Sequence, residues 1–453
     1  MESFTTGIVW TFGTRICGLL TGLAVSVIVA RGLGPTGRGQ IAFLALISLV
    51  STMIAYMGLS ASSVYHLNRK KWSLRRLIKS QFLLSTFTAV LGCVVAMTVF
   101  KLWPNENRIE LPTLAMALVV LSIPVTIYNN NIGSILSALR EFKKLSFNSV
   151  ITAIIAIPCY WFALWHFNGG VVGWSLICAL ISILGLIITC IFAFPKIFHQ
   201  PHSFEHESFS IPGDCSKLLS YGVISQLGNI AWFLILKADQ FIISIFLSVE
   251  ALGYYAIAAG IAENLRVIPM TIGQVLFPFA TEKEDEERRL FISTCVRLTF
   301  WALFPIGIIL ILIGKPIILT LYGIEFIDAV LPFQILIGAI IALAIGNILG
   351  YEFVSIGRPK VILFCNLICG LFNISMNLIV IPRYGLIGAS WVSFMTYALN
   401  SIILIRLAQK ASKYNVIDML KPSKRDLLII RDALGKFMKL HSKDSVAPSV
   451  LHS

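Results

Sequence analysis

About twelve apolar runs, each long enough to cross roughly 30 Å of hydrocarbon at 1.5 Å per residue, divide this chain. They lie near 6–30, 41–60, 80–102, 113–134, 148–167, 172–194, 218–246, 252–276, 292–314, 329–350, 361–382 and 388–408. The expected fold class is therefore an all-α polytopic membrane protein. Charged residues make up only 13% of the chain, well below the roughly 25% of an ordinary soluble domain. The first run lacks a basic leader and a clear cleavage site, so it is expected to be a span rather than a signal peptide.

A repeat organises the runs. Arg140 and Asn148 stand eight residues apart, as do Arg358 and Asn366, and each pair is followed by an apolar run and a Gly-x-x-Gly, at Gly170 and Gly173 and at Gly385 and Gly388. VARGLGPTGRGQIA likewise answers IFLSVEALGYYAIA, aligned on Gly39 and Gly253. The offsets are 214 and 218, so two pseudo-symmetric six-helix lobes facing a shared path are expected, the usual build of a transporter. The lobes would occupy 1–195 and 217–408, joined by a polar connection at 196–216 whose Pro201, Pro212 and Gly213 interrupt helix. A basic tail, 409–453, carries RDLLIIRDALGKFMKL, an amphipathic stretch suited to lying on the membrane surface.

Orientation follows from the distribution of Lys and Arg. With the N-terminus inside, the inner connections and tail hold 27 of them and the outer connections six: Arg31, Arg38, Lys101, Arg108, Lys315 and Arg383. Both termini are thus expected in the cytoplasm. The net charge of +14 is mainly this topology signal together with contact to anionic membrane lipids, and it gives no reason to invoke nucleic acid.

Five charges fall inside the runs, where each is costly unless it faces water or a partner. Arg15 lies near the middle of the first run with no acid in its own helix. Lys237 and Asp239 share the seventh run but point about 200° apart, so they cannot simply neutralise each other. Lys237 could snorkel to the outer interface, whereas Asp239 is expected to face the path or pair across helices. Glu263 and Arg266 are three apart on one helical face, either as a local ion pair or beside a bend set by Pro269. Asn129, Asn130, Asn131, Gln226, Asn229, Asn264 and Gln274 could line the same cavity or join helices. Arg140 and Arg358 can be topology determinants alone or, with Asn148 and Asn366, an inner gate.

Eight of nine cysteines sit in apolar runs and serve as small packing residues. His199, His202 and His206 with Cys215 lie in a Pro-interrupted connection that places them on no common face, so no metal is expected. No phosphate loop, nucleophile elbow or paired-Cys zinc spacing occurs, and neither catalytic residues nor cofactors are expected.

The first run with its VARGLGPTGRGQIA exit resembles the polysaccharide, or O-antigen, flippases of the multidrug/oligosaccharidyl-lipid/polysaccharide exporter superfamily. LLSYGVISQLGNIAWFLILKADQFIIS, LGYYAIAAGIAENLRVIPMTIGQVLFPFAT, LYGIEFIDAVLPFQIL and SIGRPKVILFCN continue the resemblance in order over nearly the whole chain. It implies a bacterial inner-membrane transporter, not an enzyme, that moves undecaprenyl-pyrophosphate-linked sugar units to the outer leaflet by alternating access. The products would be O-antigen, capsule or exopolysaccharide. Arg15, Lys237, Asp239, Glu263 and Arg266 would then be cavity residues. A polysaccharide polymerase and a chain-length regulator are the implied protein partners. Three alternatives stand beside it. A drug/cation antiporter of the same superfamily would favour an acidic cavity, and a polymerase or membrane glycosyltransferase would need larger outer loops than the 4 to 14 residues found. A peptidoglycan-precursor flippase would carry about two further spans, by the same resemblance.

Overall fold

A chain in hydrocarbon must satisfy its backbone N–H and C=O groups internally, and in the computed structural model this one does so with helices. The structure describes residues 4–68, 72, 74–103, 109–198, 211–412 and 419–421. The elements are α1 (Phe4–Tyr56), α2 (Leu59–Asn68), α3 (Leu74–Leu102), α4 (Thr113–Ala138), α5 (Phe142–Trp161), α6 (Gly170–Phe198), α7 (Ile211–Phe246), α8 (Val249–Glu263), α9 (Val267–Glu282), α10 (Asp285–Tyr322), α11 (Val330–Ser355) and α12 (Pro359–Ser412).

Among the described residues nine helices are long and apolar enough to cross a membrane. Two of them, α1 and α12, are each twice the length of one crossing. Each reverses at a glycine in the left-handed region, Gly34 (φ 67°) and Gly385 (φ 58°), a conformation that a Cβ would penalise. α8 and α9 together make one further crossing, so the described residues make twelve crossings, in two lobes.

The interruption between α8 and α9 is a 3-10 turn at Asn264–Arg266. Pro269 has no N–H to offer the Leu265 carbonyl, which removes an α-type bond at this point. The expected bend is therefore a break, one residue beyond Glu263. The lobe connection is shorter than the sequence suggests. α6 runs to Phe198 and α7 starts at Ile211, so Pro212 and Gly213 sit in the first turn of a helix, where proline's missing N–H costs nothing. His199, His202 and His206 and the amphipathic tail stretch lie outside the described residues.

The repeat is visible in the backbone, with a register one residue from the sequence alignment. α4 ends with the Arg140 N–H donating to Ser137 O and the Glu141 N–H to Leu136 O. α11 ends with the Gly357 N–H donating to Val354 O and Arg358 to Phe353 O. The left-handed residues of these two C-caps are Arg140 (φ 61°) and Gly357 (φ 73°). The structural equivalent of Arg140 is thus Gly357, and Arg358 answers Glu141.

Within each lobe, buried amides tie helix to helix. Asn148 of α5 donates to the Thr189 hydroxyl (2.7 Å) and the Gly185 carbonyl of α6. Within α12, Asn400 donates to Asn366 (3.2 Å) and Asn373 to Thr396 (3.1 Å). Such bonds are the usual glue where lipid offers no hydrophobic drive between helices.

Candidate functional site

The lobes meet at both ends of the bundle. At the end assigned outward by charge, α1 lies directly on α8. A Cβ on Gly39 would fall 1.8 Å from the Val249 carbonyl oxygen, and one on Gly253 would fall 2.3 Å from that of Pro35. The two contacts exchange under a shift of 214 residues, since 39 answers 253 and 35 answers 249. Thr36 and Glu250 are also 214 apart, and the Thr36 hydroxyl donates to Glu250 Oε1 at 2.8 Å. The pseudo-two-fold axis therefore runs through this pair. Glu250 is held below the usual carboxylate range first by its own backbone N–H at the start of α8 and then by Thr36. Arg31 completes the seal by donating to the carbonyls of Leu321 (2.8 Å) and Thr320, acceptors left without partners in the last turn of α10.

At the opposite end the contacts run from α1, α2 and α3 to α7. Arg76 of α3 grips Asp214 of α7 with two bonds, at 2.6 and 2.5 Å, and the Asp214 side chain is only 1% exposed. The Arg76 guanidinium also lies 5.0 Å over the Trp72 ring. Tyr65 stacks on Tyr221 at 4.4 Å, Gln226 donates to the Met53 carbonyl, and Gly58 meets Gly222 backbone to backbone. A cleft of about 600 Å³ opens beside this latch, lined by Tyr65, Tyr221, Ser225, Gln226 and Asn229. The repeat offered Arg140 and Arg358 as topology determinants or inner-gate candidates; among the described residues the ion pair that joins the lobes at this end is Arg76 with Asp214. Removing one partner of a buried pair strands the other charge, at about 3–5 kcal/mol. Arg76→Ala is accordingly expected to lower the thermal unfolding midpoint of the solubilised protein by several degrees, and the exchange Arg76→Asp with Asp214→Arg to recover part of it. An unchanged midpoint in Arg76→Ala would refute the latch.

Between the two ends the structure joins three of the five intramembrane charges. Lys237 Nζ of α7 lies 2.7 Å from Glu263 Oε1 of α8, and Arg266 Nη1 lies 4.0 Å from Glu263 Oε2. Lys237 is thus paired across helices rather than snorkelling. Arg266 is also stacked 5.4 Å over Trp232, with its Nε buried and unbonded. One carboxylate serves two cations, so this group is net positive.

Asp239, 3% exposed inside the second lobe, lies within electrostatic reach of Lys237 and takes hydrogen-bond partners of its own. Tyr255 of α8 donates to it at 2.5 Å, Ser393 of α12 at 2.9 Å and the Gln240 N–H at 2.7 Å. Tyr397 of α12 is within electrostatic reach of Asp239, Glu263 and Arg266, which links the two groups.

Arg15 is half-buried on α1 in the first lobe, and its charge is felt by Tyr351 of α11 in the second. Tyr351 packs its ring where a Cβ on Gly273 would be and bonds Gln274 of α9. Arg15 therefore acts electrostatically across the boundary between the lobes. Asn131 and Asn129 serve as interhelical bonds, to Ser85 and from Thr189.

Two charged residues escaped notice because they lie where the runs end. Arg38, counted as an outer-loop charge, has its Nε buried without an acceptor and lies near Tyr322. Glu352, 1% exposed near the end of α11, falls just beyond the tenth run as drawn.

Known proteins share the family and the fold of this chain. The family model described as "Polysaccharide biosynthesis protein" matches residues 28–331. A probable low-salt glycan biosynthesis flippase of Haloferax volcanii is 22% identical over 225 residues, which take in 48% of this chain and 46% of the relative. The chain thus spans less than half the length of that curated relative. Among solved structures, the lipid II flippase MurJ in an inward closed conformation superposes with a TM-score of 0.70 at 17% identity, covering 94% of this chain and 91% of that one. An inward-facing multidrug resistance MATE family transporter of the MOP superfamily gives 0.64 at 14% identity, covering 90% and 99%. These relatives are flippases and transporters rather than enzymes.

Proposed function

Since this chain belongs to the polysaccharide biosynthesis protein family, whose relatives here share a two-lobed transporter fold, we propose that it flips a lipid-linked oligosaccharide by alternating access. The cargo is a polyprenyl pyrophosphate, undecaprenyl in a bacterium, bearing the sugar unit of a surface polysaccharide such as O-antigen, capsule or exopolysaccharide. It passes from the inner to the outer leaflet of the cytoplasmic membrane. Both termini lie inside, in line with the inner excess of Lys and Arg. The first lobe ends with α6 at Phe198 and the second runs from α7 at Ile211 to the end of α12 at Ser412, and a polymerase with its chain-length regulator takes up the product.

The observation that carries this reading is the sign of the interior. Arg15 approaches from one lobe, Lys237 and Arg266 from the other, and Glu263 is the one carboxylate between the last two. Arginines bind phosphate with two parallel bonds, and scarce water makes each ion pair count for more. A doubly charged head moving outward through an inside-negative potential gains roughly 5 kcal/mol per 100 mV. A cation antiporter would need the opposite sign, and the acid that could serve it, Asp239, accepts bonds from Tyr255, Ser393 and the Gln240 N–H within one lobe. Asp239 and Glu263 remain the groups through which a proton or sodium gradient could be coupled, and transport in proteoliposomes under a potential alone separates the two drives.

The test is surface polysaccharide in a deletion strain. Arg15→Ala at normal expression is expected to reduce it at least tenfold, because a charged hydrogen bond contributes about 1.5–3 kcal/mol. Arg15→Lys should keep part of the activity. Wild-type levels from both would remove Arg15 as a head-group ligand.

A further inference from the structure

The cleft beside the Arg76–Asp214 latch, about 600 Å³, lies on the boundary between the lobes, with α2 and the end of α1 on one side and the first half of α7 on the other. Its volume is that of a small-molecule site, commonly about 300–1,000 Å³. No charged residue is among its described lining residues, which sets it apart from the cationic interior.

The polar groups with capacity to spare stand on α7. Tyr221, Ser225 and Asn229 recur every four residues, so they form a ladder along one face with steps of about 6 Å. The Tyr221 ring stacks on Tyr65 by one face and is 40% exposed, and among the described residues its hydroxyl makes no hydrogen bond. The half-buried Ser225 hydroxyl makes none among them either. Asn229 is exposed and commits one amide hydrogen to Gln226 at 3.1 Å, which leaves its second N–H and its carbonyl oxygen. Exposed Val223, Ile224 and Leu227 lie on the other side of the helix. A lipid chain in the cleft would leave the ladder unpaired, whereas a hydroxyl-rich ligand would satisfy it.

The same face leads to the cationic group. Trp232, over which Arg266 stacks at 5.4 Å, falls within about 20° of Tyr221 around α7 and about 16 Å further along it. A ligand with an anionic head and an uncharged, hydroxyl-rich body is therefore matched in both parts along one unbroken helix.

We propose that this cleft receives the sugar unit of the cargo at the inner side, with the pyrophosphate directed toward Arg266 and Lys237, and that the sugars it takes are uncharged. The inference rests on the transport reading above. Sugar hydroxyls pair with Ser225 and Asn229, while a C–H face packs on the Tyr221 ring. The two walls belong to different lobes, so the cleft changes whenever the lobes move, and a sugar bound there favours the conformation that has it.

The test is calorimetric titration of the full-length protein in nanodiscs with two probes. One is the phosphate-free oligosaccharide released by mild acid from the lipid-linked pool of the producing cells, and the other is inorganic pyrophosphate. Asn229→Ala and Ser225→Ala are each expected to weaken oligosaccharide binding about fivefold, the loss of one neutral hydrogen bond, and to leave pyrophosphate binding unchanged. Arg15→Ala should do the reverse. Ser225→Trp, which fills the cleft, should abolish oligosaccharide binding. Transport of the intact lipid-linked oligosaccharide is measured with the same proteins. Transport by the wild type without oligosaccharide binding, or equal binding by the wild type and Ser225→Trp, overturns the sugar site alone. A released unit whose sugars carry carboxylates overturns the ligand class, whereas absence of transport overturns the function on which the site rests.

Discussion

Gly39→Val is expected to leave the protein inserted and monodisperse but unable to close its outer end, with transport falling about 100-fold. The new Cβ would lie 1.8 Å from the Val249 carbonyl oxygen and 2.8 Å from the Val249 side chain. A backbone carbonyl cannot rotate aside as a side chain can, so α1 and α8 must part. Overpacking of this kind costs about 1–3 kcal/mol, and a shift of about 3 kcal/mol between outer-closed and outer-open states changes their ratio roughly 100-fold. Symmetry sharpens the expectation, because Gly253 makes the mirror contact with Pro35. Gly253→Val should therefore impair transport to within about a factor of three of Gly39→Val, the difference in the two clashes being small beside the total. Both variants should expose Thr36→Cys to an impermeant maleimide. Normal surface polysaccharide with an unreactive cysteine in either variant would show that the seal does not open in the transport cycle.

This seal also shows what could be read in advance. The twelve crossings were legible because each needs an apolar run of fixed length, and the two lobes because Gly39 and Gly253 recur in similar surroundings. The self-complementary contact between those glycines was not legible, since a repeat says that two segments are alike and nothing of whether they touch. The register slip at Arg140 has a similar cause. Matching letters aligned Arg140 with Arg358, whereas the C-cap demands a left-handed residue, a place that Gly357 fills at no steric cost and Arg140 fills at some. Among the site residues, Glu263 and Arg266, three apart in sequence, lie 4.0 Å apart, while Lys237 and Asp239, two apart, take different hydrogen-bond partners. The partners Tyr255, Ser393 and Trp232 come from other turns or helices, and spacing carries no information about them. Arg76 and Asp214, 138 residues apart, look like ordinary inner-loop charges until the fold joins them.

Glu263→Gln is expected to have an effect of a different kind, on stability and on transport together. The carboxylate neutralises Lys237 at 2.7 Å and faces Arg266 at 4.0 Å, with the three side chains between 11% and 23% exposed. Its loss leaves two cations facing each other in a poorly hydrated space. Full burial would make that about 3–5 kcal/mol, and the partial exposure reduces it to about 2 kcal/mol, several degrees in the thermal midpoint. Lys237→Met removes the nearer cation and leaves Glu263 to Arg266 alone, so the double variant should be more stable than Glu263→Gln. A coupling of about 1 kcal/mol or more is the expected reading of the cycle. Function should move in the opposite sense from stability. With two unopposed cations, Glu263→Gln should hold an anionic head more tightly and release it slowly, so its transport saturates at lower cargo concentration and at a lower maximal rate. Lys237→Met should bind more weakly. Were Glu263 instead the site of an obligatory coupling ion, Glu263→Gln would abolish transport at every cargo concentration, and extra lipid-linked oligosaccharide would restore nothing. Rates measured across cargo concentration in proteoliposomes, with and without an imposed ion gradient, distinguish a head-group clamp from a coupling carboxylate.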